Sequence, residues 1–528
     1  MNEPAHAVST VPEKLLTRPD RFARSKALES PIDSSTKPIS LGGSPGRGKR
    51  RRDHVFTGEP EMSQTVHTAR AGAFGRLPPL LLLAFFICLF LPPPTGLSVP
   101  GYRTLLVAAA AVVLWTSEIL PAGLTGGLVI LLLILTGASS SVSEALVGFS
   151  QPVIFFLIGV FTIAIAVERV GLAERIGRFF LRLSGGKSGP LFWFMVVSFP
   201  PMALIMPSAN SRSLILAEVF DRTFTLTGVK KGAPVARAIM MALHSLNRLA
   251  SSALLTGGMT SIVAASLIGG MGWGRWFLLL SVPYYLTLFI GSLFLYLWYM
   301  RGESVRLDLP EAEKTPLKSG EIRTALIILM ASALWLSDPI HGLHPAVPAM
   351  MAWALLLAPG VGVLEWNDFE TRFSWATFFL LGASLSLGWT MVHTGAAKWL
   401  AFTLLQLAPA IAERPYFLFA VILAVSVPVR ILVPNITGYL AITIPIAIEI
   451  GQGGGLNPLV CALGVLLMGD SILFYPAQSP SSLAVYERGH LTAGEIFRFG
   501  MFMTAIAFAT TLTATLFWWQ IAGVAWKI

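Results

Sequence analysis

The chain has 528 residues, of which 54% are hydrophobic and only 12% charged, whereas soluble domains carry about 25% charged residues. That balance excludes a soluble globular protein, and the two cysteines, Cys88 and Cys461, sit in apolar runs and so exclude a disulfide framework or a Cys-based zinc site. The net charge of +10 does not argue for nucleic acid: residues 1–77 hold 13 Lys and Arg against 8 Asp and Glu, and the remaining excess lies mainly in short loops, where basic residues report membrane orientation.

Residues 1–77 are rich in Pro, Ser and charge without periodicity, and are expected to form a disordered basic cytoplasmic tail. GKRRRD at 48–53 reads as part of that solvated tail. The apolar run that follows leads into further apolar runs rather than to a cleavage site, so it is not a secretory signal peptide. Uncharged stretches predict a first span within 78–100, at roughly 78–96, then spans at 102–119, 121–138 and 152–170. The stretch 188–226 is apolar but broken in the middle by Pro, Ser and Asn, and predicts a re-entrant helix–turn–helix. Spans at 236–271 and 275–300 close a first repeat, 101–300, and a polar cytoplasmic linker follows at 301–323. The second repeat, 324–528, predicts spans at 324–340, 345–364, 375–394, 457–486 and 498–523, with a second re-entrant hairpin at 412–452.

Charge supports this count. With the tail inside, Arg169, Arg175, Arg178, Lys187, Lys230, Arg301, Arg323, Arg488 and Arg498 all fall on the cytoplasmic side, while loops near 97–101, 139–151 and 341–344 carry no Lys or Arg. The count works only if both broken stretches enter and leave on one side. An internal repeat agrees: FSQPVIFFLIG at 149–159 resembles FSWATFFLLG at 373–382, Gly171 matches Gly395, and Pro207 and Pro434 mark the two hairpin tips. An odd number of spans separates equivalent points, so the halves have inverted topology, and interrupted helices at matching places point to a transporter binding site.

The first tip reads MPSANSRS, with Ser208, Asn210, Ser211 and Arg212; the second reads VPNITGYL, with Asn435 and Thr437. Half-helix N-termini direct unpaired N–H groups at an anion, hydroxyls and amides add donors, and the Arg212 guanidinium matches a carboxylate or sulfate. A structural pairing of Arg212 with Glu218 or Asp221 is the competing assignment. The span over 236–271 is interrupted at TGGMTS, with Gly257, Gly258, Thr260 and Ser261, and that over 457–486 at Pro476 and Pro480, with Gln478, Ser479, Ser481 and Ser482. Asp470 either takes up a proton or is a structural acid paired with a base, the latter favoured. His244 and Arg248, at i and i+4, read as interfacial residues rather than ligands.

These hairpins and broken spans, with GHLTAGEIFRFGMFMT at 489–504, resemble the divalent anion:sodium symporter family of the ion transporter superfamily over about 80–528. The family's C-terminal pattern coincides at Ser471, Phe474, Pro476, Pro480, Gly489, Leu491 and Gly500, and the first tip is similar to the citrate and oxoglutarate/malate exchanger branch at Pro207, Ser208 and Arg212. The resemblance implies an all-α membrane protein of about 11 transmembrane helices plus two re-entrant hairpins, elevator-type movement, and a homodimer. It implies small anionic substrates, di- or tricarboxylates or sulfate, often carried with sodium, with possible sodium ligands at Ser208, Asn210, Gly257, Asn435 and Gln478. The family's Ser-Asn-Thr signature is altered at both tips, to Ser208-Ala209-Asn210 and Asn435-Ile436-Thr437.

The reading is therefore a secondary anion transporter of the inner (plasma) membrane, working by cation symport or anion exchange, with a cytoplasmic N-terminus. A fixed Arg212 cation would favour exchange. The competing reading is a transport-deficient anion sensor of the same fold. The sequence has no HExxH, no paired intramembrane carboxylates and no nucleophile–base spacing, so no enzyme and no resident cofactor are expected.

Overall fold

The computed structural model describes residues 84–528 apart from 118, 207, 270, 303–305, 307–315 and 408. The predicted tail at 1–77, Pro207 and most of the linker lie outside the described residues. Among the described residues the secondary structure is helical, with two isolated β-bridges, Lys187 with Arg306 and Leu456 with Lys527. Among the described residues, nine helices are long and apolar enough to cross a membrane.

The first predicted span is helical over 84–89 and stops before three prolines at 92–94, which cannot continue a helix. The next helices are α1 (Val99–Ser117), α2 (Ala122–Leu135) and α3 (Pro152–Val170). α3 ends on Gly171, whose φ of +75° closes the helix in the left-handed region that favours glycine; Gly395, at φ +74°, does the same in the second half. The amphipathic α4 (Leu172–Leu183) leads into the first hairpin, α5 (Ser188–Ile205) and α6 (Ala209–Leu226). The long run 236–271 is not one helix. α7 (Pro234–Met241) passes through a π-turn at Ala242–Leu246 into α8 (Asn247–Ser252), the chain opens at 253–258, and α9 (Met259–Ile268) follows. α10 (Trp273–Leu295) closes the half with a π-helical turn, Tyr296–Met300.

The second half repeats this order. α11 (Ser319–Leu336), α12 (Ala346–Leu357), α13 (Trp375–His393) and α14 (Ala396–Leu407) precede the second hairpin, α15 (Pro415–Leu432) and α16 (Ile436–Gly453). α17 (Pro458–Ser471) ends in an open stretch, α18 (Pro480–Tyr486) resumes, and α19 (Ala493–Thr510) ends in a π-turn before α20 (Leu516–Ile521). The hairpin limits Ser188, Ile205, Ala209 and Leu226 recur as Pro415, Leu432, Ile436 and Gly453, each 227 residues on. Each arm has 18 residues, about 27 Å of helix.

Packing interleaves the halves. α2 of the first half lies on α13 of the second, and α12 of the second on α3 of the first. Small residues permit the approach: a Cβ on Gly126 would come within 2.8 Å of the Phe379 carbonyl oxygen, and one on Gly159 within 2.3 Å of that of Ala349. Each hairpin contacts the first segment of its own broken span and the second segment of the other's: α8 and α18 touch the first hairpin, α17 and α9 the second. Both chain breaks are thereby brought to both tips.

Candidate functional site

A cavity of about 280 Å³ lies where the two tips meet the two broken spans. Its wall contains the first turns of four helices: Ser208–Asn210 before and in α6, Gly258–Thr260 at α9, Pro434–Thr437 at α16, and Ser479–Ser481 at α18. The starts of α6, α9 and α16 direct backbone N–H groups and partial positive charge at this space. Local chemistry sets the two hairpin caps. The Ser208 hydroxyl accepts the Ser211 N–H at 3.2 Å. The Asn435 amide oxygen accepts N–H groups from Thr437 and Gly438 at 2.9 and 3.3 Å.

Two arginines seal the carbonyls that the tips leave open. Arg212, fully buried, donates through Nη1 to the Met206 carbonyl at the end of α5, through Nη2 to the Ser251 hydroxyl, and through Nε to the Asn247 amide oxygen at 3.3 Å. Arg430, in the last turn of α15, donates to the carbonyls of Val433 (2.8 Å), Pro434 (2.7 Å) and Gly469 (2.9 Å). Each arginine ties its tip to the broken span of its own half, α8 for Arg212 and α17 for Arg430.

The predicted residues divide accordingly. Ser208, Asn210, Thr260, Asn435, Thr437, Gln478, Ser479 and Ser481 line the cavity. Ser211, Arg212 and Gly257 do not. The Ser208 hydroxyl donates to that of Ser211, and a Cβ on Gly257 would meet the Ser251 carbonyl oxygen at 2.0 Å, so both lie in the supporting layer. Arg212 is thus a structural clamp on the far side of the tip, not a wall residue. It does not pair with Glu218 or Asp221, which meet Arg488 and His490 instead. Helical side chains lean toward the N-terminus, so an arginine one turn into α6 reaches back to α5. Gln478 lines the wall with both ends engaged: its amide oxygen accepts the Phe474 N–H at 2.8 Å and its nitrogen donates to the Arg430 carbonyl at 3.3 Å.

Two charged wall residues were misplaced or missed by the sequence reading. Arg430 was missed; its signal is a lone cation inside the apolar run of α15, which is costly in hydrocarbon and marks function by default. Arg248 is not interfacial: it lines the cavity and pairs with Asp470 at 3.3 Å, as the structural-acid reading of Asp470 expected. His244 is buried, with Nδ1 2.8 Å from the Ser245 hydroxyl. A π-turn at Ala242–Leu246 contains His244 and leads into α8, which carries Arg248. Thr437 presents a buried hydroxyl with no hydrogen-bond partner. Two wall cations, three helix starts and free donors against one carboxylate make this a space suited to a small anion with more than one negative charge.

The family described as the sodium:sulfate symporter transmembrane region matches residues 77–525. The dicarboxylate transporter 2 of spinach chloroplasts is 23% identical, over 85% of this chain and 80% of its own. The putative malate transporter YflS of Bacillus subtilis is 20% identical, over 88% of this chain and 100% of its own. A Cupriavidus necator membrane protein is 22% identical, over 83% and 91%. The crystal structure of the Alcanivorax borkumensis YdaH transporter aligns at a TM-score of 0.51 and 14% identity, over 74% of this chain and 89% of that one, which supports the fold. The chain belongs to the sodium:sulfate symporter family and is a multi-pass, all-helical membrane protein of transporter type.

Proposed function

We propose that this member of the family carries small anions, di- or tricarboxylates or sulfate-like ions, across the plasma membrane through the cavity between the two hairpin tips. The observation that carries the reading is the convergence of both tips, both chain breaks, Arg248 and Arg430 on one space. In a low-dielectric interior such an array replaces the hydration shell of an anion at little reorganisation cost. The interleaved halves and the charge distribution of the loops support inverted repeats with re-entrant hairpins and a cytoplasmic N-terminus. Elevator-type movement of the hairpins, in a homodimer, follows as the mode of access.

The family's name makes sodium a candidate co-substrate. The Asn435 oxygen at the second tip already accepts two N–H groups, the Gln478 oxygen in the broken span one, and the Ser208 hydroxyl one, so the Thr437 hydroxyl is the more available oxygen. Flux of labelled succinate and sulfate into proteoliposomes tests the proposal: saturable uptake of either, inhibited by the other, is expected. Saturable binding with no flux would instead favour an anion sensor, a reading that the altered tip signatures motivate. Absence of both binding and flux for small dianions would overturn the anion site itself.

A further inference from the structure

One acid stands on the cavity wall, Asp470 at the end of α17, and it is 2% exposed. Building on the transport reading above, we propose that Asp470 is a proton site that couples anion binding to proton uptake, so that the protein carries its anion together with a proton.

The geometry is that of a loosely held carboxylate beside a firmly held cation. Arg248 donates through Nε, at 2.8 Å, and through Nη2 to the backbone carbonyl of Asp470. It is therefore anchored to the end of α17 whatever the carboxylate does. The carboxylate meets Arg248 through Oδ1, at 3.3 Å, while Oδ2 is buried away from that cation and the Tyr284 hydroxyl of α10 lies beside the carboxylate. An ionised carboxylate can accept about four hydrogen bonds, so this one is far from satisfied in its charged form. The other groups facing it are few. Arg430 comes from α15, and the Tyr284 hydroxyl, within hydrogen-bonding reach of the carboxylate and of Ser252, comes from α10. Tyr439 of α16 donates its hydroxyl to the Val465 carbonyl at 3.1 Å, and Tyr475 lies in the open stretch after α17. α9 has no charged side chain, and α19 has two near its start: Glu495, held by Arg237 and Tyr299, and Arg498.

With no anion bound, Asp470 partly balances the two arginines. A dianion entering this cavity shares Arg248 with the Asp470 carboxylate, and two anionic groups crowded at one site oppose each other until one takes a proton. Anion binding and protonation are then reciprocally linked: each strengthens the other by the same factor. On the entry side the carboxylate leaves Arg248 and forms an O–H bond with a proton from water. On the exit side that bond breaks, the proton returns to water, and the carboxylate rejoins Arg248. One proton travels with each anion, and no further reactant is needed.

The full chain in proteoliposomes with a luminal pH dye, labelled succinate and sulfate as probes and no sodium tests this. Whichever probe is carried should acidify the lumen as it enters and accumulate under an inward proton gradient. Its binding to the purified protein should tighten as pH falls. Asp470→Asn should abolish proton entry and flatten the pH dependence, while Asp470→Glu should keep both. Counterflow of a probe with no proton entry and no response to pH in the wild type would overturn the inference and leave the transport reading intact. Proton entry undiminished in Asp470→Asn would also overturn it. Failure of both probes to bind or cross at any pH would overturn the transport reading itself, and this inference with it.

Discussion

The two hairpin tips meet the same physical demand by different means. In the first, the arginine follows the break: Arg212 reaches back to the Met206 carbonyl and fastens it to Asn247 and Ser251 of α8. In the second, the arginine precedes the break: Arg430 reaches onward to Val433 and Pro434 and fastens them to Gly469 of α17. The hairpin limits repeat at an offset of 227 residues, yet the two arginines are not repeat-related. The backbone break is therefore what the halves share, and each half satisfies the freed carbonyls with whichever cation reaches them. Only Arg430 also faces the cavity. One clamp holds structure alone, while the other holds structure and charge.

The sharpest way to break that comparison is to remove each clamp. Taking one partner from a buried charged network costs about 3–5 kcal/mol, so Arg212→Ala and Arg430→Ala should both lower the melting temperature markedly. They should part company in anion affinity: a loss of about 3 kcal/mol, more than a hundredfold, is expected for Arg430→Ala. Folded Arg212→Ala protein should bind within about threefold of wild type, since its cation is off the wall. Melts and equilibrium binding of succinate and sulfate check this, and an equal affinity loss in both variants would erase the distinction.

A smaller effect isolates the wall from its support. Thr437→Val keeps shape but removes an unpartnered hydroxyl, and should weaken anion binding about tenfold, near 1.4 kcal/mol, with little change in melting. Ser211→Ala, in the layer behind, should leave affinity nearly unchanged. A reversed pattern in the same binding titrations would mean that the wall has been misassigned. Smallest are the caps. Ser208→Ala and Asn435→Ala should each cost about 1 kcal/mol of stability. Asn435 should cost the more because it accepts two N–H groups. Denaturation of the two variants side by side measures the difference.

Much of this was legible in the sequence, because helix breaks are local events. Pro, Gly, Ser and Asn inside apolar runs marked both hairpins and both broken spans, and α3 and α13 appear within a few residues of expectation. The run at 236–271 was read as a single interrupted span, and its π-turn left no sequence mark. What failed was side-chain direction. Arg212 looked like a ligand because it is near the tip in sequence, but the lean of a helical side chain turns it toward the previous helix. Arg430 was passed over because its neighbours are apolar, although an arginine there demands partners. Pairing of Arg248 with Asp470 joins residues 222 apart, which local reasoning does not reach.

The central claim is that an anion occupies the space between the halves. In a background with Cys88→Ala and Cys461→Ala, cysteines introduced singly as Thr260→Cys and Ser479→Cys place a reactive group on the wall from each half in turn. Succinate or sulfate should slow maleimide alkylation at both positions over the concentration range that saturates flux. Alkylation at both positions unchanged by those anions, while flux still saturates, would contradict the account by placing the anion elsewhere.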